Sequence, residues 1–174
     1  GMVMGSIAYK ALKGQEPFKE SIPLVALFQM YPAPEHIAVL KASKIKSVKD
    51  MKGKKISIDV PGSGCSVMAK AILEEYGYDL QKDVTIANLS QSEYPASAIM
   101  DLCATRDIDL VPLEPDMVEK LTKKYGYYIK SVIPGKTYAD VDRDVLCLGD
   151  SNVMVAHKDM PDDVAYKVVK AMSL

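Results

Sequence analysis

Apolar and polar residues alternate along this chain with two periods, and the places where the period changes mark its elements. Residues 3–13 put Ile7, Ala8, Ala11 and Leu12 on one side of a helix, with Gly14 as its stop. "PLVALFQMY" and "EHIAVLKAS" read as strands separated by the stiff turn "YPAPE". "SVKDMKGKK" predicts a short helix ended at Gly53, and "KISIDV" alternates like a strand. A helix from about Ser66 to Tyr76 ends at Gly77, which suits a left-handed cap. "DVTIANLS" follows as a strand, "PASAIMDLCATR" as a helix and "IDLVPLEP" as a strand. "PDMVEKLTKKYG" is a helix whose C-terminal lysines suit its dipole. "YYIKSVIP" and "VLCLGDSNVMVAHK" read as extended, and "PDDVAYKVVKAMSL" is a last helix with Pro161 near its first turn. Strands alternating with helices predict an α/β fold with parallel strands.

The sharpest local feature is "DVPGSGCSVMAKAILEEYG", residues 59–77: a strand end, a glycine-serine turn and a helix. Glycine lets backbone approach a ligand closely, and a helix N-terminus offers free N–H donors with a partial positive charge. A phosphate, a carboxylate, or nothing beyond an ordinary capped helix fits this turn equally. It is not a dinucleotide fingerprint, because Val67 stands where a third glycine is needed. "GKTY", residues 135–138, fails as a phosphate loop, since Lys130 stands where a glycine is required and Pro134 interrupts it.

Composition narrows the choice. The 174 residues can bury a real core as one domain or two lobes, and the net charge of −1 gives no global pull toward nucleic acid or acidic membranes. Seven lysines between residues 41 and 55 have neither arginine nor interleaved aromatics, so they read as a solvated face and not a nucleic-acid patch. Cys65, Cys103 and Cys147 show no metal-ligand spacing and read as three separate thiols. His36 and His157 have no partner at suggestive spacing, and no catalytic triad, metal motif, cofactor fingerprint or paired-carboxylate signature stands out. With only Arg106 and Arg143 available, an anionic ligand would have to rely on backbone donors, hydroxyls and a lysine.

"VKDMKGKKISIDVPGSGCSVMAKAILEEYGYDLQKDV" resembles the TAXI family of solute receptors for TRAP transporters, and the likeness runs on through "LVPL", "IPGKTY" and "MPDDVAY". The resemblance implies a type II periplasmic-binding-protein fold: two α/β lobes, a hinge and an interlobe cleft that closes on a small solute. It implies a periplasmic receptor, not an enzyme, that hands a small organic acid or an amino acid such as glutamate to a membrane permease. Residues 1–40 with 151–174 would form one lobe and 41–150 the other. Ser63, Gly64, Cys65 and Ser66 would hold the anion, Tyr94 and Ser97 would form a second wall, and Ser6 and Tyr9 would reach in from the first lobe. Three departures accompany the likeness. The family's signal peptide and first strand are expected upstream of "GMVMGSIAYKA". A strand and helix of the family pattern are missing between Glu93 and Tyr94. Cys65 and Ile7 replace a threonine and an aspartate of its motifs. The competing readings are an enzyme or cytosolic sensor on the same fold, with a phosphate or cofactor at the turn, and a remnant that binds nothing.

Overall fold

In the computed structural model, which describes residues 1–87, 104 and 106–172, strand Met2–Met4 (β1) runs straight into helix Gly5–Lys13 (α1). The start of the predicted helix is therefore sheet, because Met2 to Met4 pair with Met154 to Asn152 across the molecule. Gly14 caps α1 in the left-handed conformation, as its position after the apolar run requires.

Strand Leu24–Pro34 (β2) continues through "YPAP", where a turn was expected. It carries two register shifts, at Ala26/Phe28 and Gln29/Pro32, the second just before the paired stretch Pro32 to Pro34. β2 also lies at a sheet edge, where a missing N–H is tolerated. Strand Ala38–Leu40 (β3) follows, then 3-10 turns at Lys41–Ser43 and Val48–Met51, the second with a reciprocal Ser47/Asp50 cap. Next come strand Lys55–Ser57 (β4), helix Gly64–Glu75 (α2), strand Thr85–Ala87 (β5) and strand Ile108–Leu110 (β6). Helix Pro115–Tyr125 (α3), strand Ile129–Ile133 (β7), strand Val145–His157 (β8) and helix Asp162–Met172 (α4) complete the order.

The long β8 organises the largest sheet. β2 pairs along one edge from Gly149 to His157, while β7 takes Val145 to Gly149 and β1 takes Asn152 to Met154 on the other. All three pairings are antiparallel, as is β3 with β6, and among the described residues only β4 with β5 is parallel. The parallel sheet expected from alternating elements is thus confined to one strand pair, because a single 13-residue strand serves three antiparallel neighbours. The fold remains mixed α/β.

The core joins α2, α3 and the middle of β8 through Met68, Ile72, Val118, Leu121 and Leu148, each at most 2% exposed. Removing a side chain of this size from water contributes about 1.5–3 kcal/mol. A second cluster, Ile108, Leu110, Ile133, Tyr138, Val141, Val145 and Cys147, packs where β6, β7 and β8 meet. His36 sits between the Pro34 carbonyl and the Tyr138 hydroxyl, both at 2.9 Å, and burial lowers its pKa. Arg143 is committed internally, to Asp109 and the Leu110 carbonyl at 2.7 Å each. The lysine-rich segment pairs with Asp109, Asp83 and Glu114 through Lys46, Lys52 and Lys49, as a solvated face does.

Candidate functional site

The glycine-serine turn enters α2 as its sequence requires. Gly62 sits at φ 85, a left-handed conformation that side chains rarely adopt, and Ser63 caps the helix by accepting the Ser66 N–H at 3.0 Å. The Ser63 N–H bonds to the Val60 carbonyl. Of the four N–H groups of Ser63 to Ser66, two are therefore engaged, and those of Gly64 and Cys65 have no acceptor among the described residues.

Gly64 is buried because the first turn of α2 lies against Met4, the residue that opens α1. A Cβ built at Gly64 would fall 2.0 Å from the Met4 sulfur and 2.9 Å from the Met4 Cβ. The two helix N-termini thus meet. At that of α1, Asp150 from β8 fills the anion position, with the Ser6 N–H 3.1 and 3.3 Å from its carboxylate oxygens and the Ser151 N–H at 2.7 Å. Asp150 is fully buried, and burial raises its pKa against the opposing pull of these donors. Glu35, at the end of β2, keeps some surface exposed while its carboxyl is enclosed. Burial first, then the charges of Asp59 and Asp150, lift its pKa to about 8. Asp59 adopts φ 72 and is also buried. Cys65 turns toward this trio, and burial, reinforced by the three carboxylates, pushes its thiol up to about 12. That thiol is a poor nucleophile.

Two buried hydroxyls border the same region without a hydrogen bond of ordinary geometry among the described residues. They are Ser6 Oγ, close to Asp150, and the Tyr128 hydroxyl, close to that of Tyr127. Buried hydroxyls are usually satisfied, so such a pair marks a place where partners are incomplete.

Beside this junction lies a cavity of about 480 Å³ bounded by α1, the turn and the outer face of α2. Pro61, Gly62 and Ser66 form its floor, and Val67, Lys70, Ala71 and Glu74 continue up α2 at helical spacing. Lys10, Glu16 and Pro17 close it from α1 and the loop after it, and Tyr125, Tyr127 and Tyr128 form the far wall. Lys70 has no ion-pair partner among the described residues, and Lys10 donates only to the Glu16 carbonyl at 3.3 Å. A second cavity, about 310 Å³ and lined mainly by apolar side chains, lies between β3 and β4.

Of the residues expected to bind, Ser66 lines the larger cavity and Tyr9 packs its ring on Tyr127 at 5.2 Å. Ser63, Gly64, Cys65 and Ser6 serve the junction just described, and Tyr94 and Ser97 lie outside the described residues. Sequence reading missed Lys10, Lys70 and the tyrosine wall. The signal for Lys70 was its place four residues after Ser66 on one helix face; that for the tyrosines was "YGYY", residues 125–128.

No helix among the described residues is long and apolar enough to cross a membrane. A sequence profile of the NMT1-like family matches residues 1–95 and 91–173. The family is one of periplasmic-binding-like solute-binding proteins, and its two matched stretches meet at 91–95, where sequence reading puts a missing strand and helix.

Proposed function

Because the chain belongs to the NMT1-like family, we propose that it is an extracytoplasmic receptor of the TAXI type that captures a small organic acid or amino acid for a TRAP permease. The observation that carries this reading is the 480 Å³ cavity joining the glycine-serine turn to two lysines, Lys10 and Lys70. Its volume lies in the roughly 300–1,000 Å³ range of ligand sites. The solute's carboxylate meets Lys70, Lys10 and the Ser66 hydroxyl, while Glu74 and Glu16 on the rim suit an ammonium where the solute has one.

On this reading residues 1–40 and 151–174 make one lobe and 41–150 the other. The cavity then lies between lobes, with Lys10 from the first and Lys70 and the tyrosines from the second. Binding draws the lobes together because the closed arrangement lets both lysines reach one solute.

Calorimetry with a panel of carboxylates and amino acids, including L-glutamate and glutarate, tests the proposal. A panel member should bind, and Lys70→Ala should weaken it about tenfold or more, as loss of a charged hydrogen bond does. A folded protein that binds none of the panel refutes the receptor reading.

A further inference from the structure

The far wall of the cavity is unusually aromatic. The rings of Tyr127 and Tyr128 lie 4.7 Å apart at 79°, and Tyr125 packs on both, at 5.8 and 5.4 Å. From α1, Tyr9 adds a fourth ring against Tyr127. Tyr128 is only 3% exposed and anchors the group in the core, while Tyr125 and Tyr127 keep exposed surface. The rings therefore hold one another in place, and a fixed aromatic wall loses little freedom when a solute lies on it.

Val67 and Ala71 of α2 add small apolar side chains to the same lining. The cavity thus combines aromatic and aliphatic side chains with Lys10 and Lys70. The buried Tyr128 hydroxyl, lacking a normal partner, adds an incompletely satisfied polar group on the same wall. A short diacid such as glutarate would meet the lysines but leave the aromatic wall bare.

Resting on the receptor reading, we propose that the solute is a carboxylate carrying a planar aromatic ring, its carboxylate at Lys70 and Lys10 and its ring against the tyrosine wall, Val67 and Ala71. Ring pairing of this kind gives about a two- to tenfold gain per pair, and the apolar area of the ring adds to it.

Calorimetry on the full chain compares phenylacetate with acetate, and L-phenylalanine with L-glutamate and glutarate. At least one aromatic probe should bind ten times or more tighter than its non-aromatic counterpart. Tyr127→Leu should cut that preference at least threefold; Tyr125→Leu, on the same wall, is the second variant should Tyr127→Leu fail to fold by circular dichroism. Glutamate or glutarate binding as tightly as the aromatic probes overturns this inference and leaves the receptor reading intact. An aromatic preference unchanged in the folded variant also overturns it. Binding of no probe at all overturns both.

Discussion

Gly64 makes a close approach that any side chain would obstruct, and the obstruction can be measured. The added methyl of Gly64→Ala would lie 2.0 Å from the Met4 sulfur and 2.9 Å from both Met4 Cβ and Cε. The sulfur and Cε can rotate away, but Cβ is fixed to the backbone of β1, which is tied to β8 through Met4 and Asn152. Forcing an extra methyl into a packed contact costs about 1–3 kcal/mol. Alanine's better helix propensity offsets at most about 1 kcal/mol of this, and less in a first turn. A net loss of about 1–2 kcal/mol corresponds to a fall in Tm of about 2–8 °C for a chain of this length.

Thermal and urea unfolding followed by circular dichroism provide the assay, with Met4→Gly as the second arm. Removing the whole Met4 side chain, Cβ included, empties the space the new methyl needs. Gly64→Ala should then be neutral or stabilising in the Met4→Gly background, a coupling of at least about 1 kcal/mol across the cycle. Equal destabilisation in both backgrounds, or none in either, would refute the packing account. If Gly64 instead serves a ligand, Gly64→Ala lowers solute affinity and leaves Tm unchanged. Gly64→Pro cannot make this distinction, since its ring meets the same Met4 wall while also removing the N–H.

The local grammar of the chain was readable: Gly14, Gly77 and Gly126 end helices, Ser63 caps one, and the apolar faces of α2 and α3 are periodic. What escaped was fixed by distance in sequence. Ser6 owes its surroundings to Asp150, 144 residues away, and no period within residues 3–13 reveals that β8 will claim Met2–Met4 as a strand. "YPAPE" has every turn residue, yet the pairing of Pro32 to Pro34 with Ser151 to Gly149 of β8 holds it extended. The glycine-serine turn was correctly seen as a helix entrance. That its first turn would be roofed by Met4, and that open space would lie on the Lys70 face, followed from packing between remote segments.

Burial should protect the thiols. With Cys103 replaced by Ser, Cys65 and Cys147, their pKa values raised to about 12 and about 11, should react with a disulfide reagent at pH 8 at least about a hundredfold slower than free cysteine, and fast labelling of either would contradict this. In unreduced, unfolded wild type all three thiols should alkylate, and a protected pair by mass would reveal a disulfide. Tyr128→Phe removes a buried hydroxyl without a normal partner, so Tm should hold or rise, and a fall of more than about 4 °C would mean that the hydroxyl is bonded. The last prediction concerns pH. Glu35 ionises at about 8 in the folded chain, against an ordinary 4.5 when unfolded. Between those values the folded protein holds a proton that the unfolded chain has released, so raising the pH favours unfolding. The stability this group contributes is complete below about 4.5 and is lost as pH rises through 8, and Asp150, also shifted upward, acts in the same direction. Tm should therefore fall more steeply between pH 6 and 9 in wild type than in Glu35→Gln, whose amide keeps the shape but cannot ionise. Parallel Tm profiles for the two proteins across that range would show that Glu35 is already charged, and that the carboxylates at the meeting of α1 and α2 are less enclosed than their packing implies.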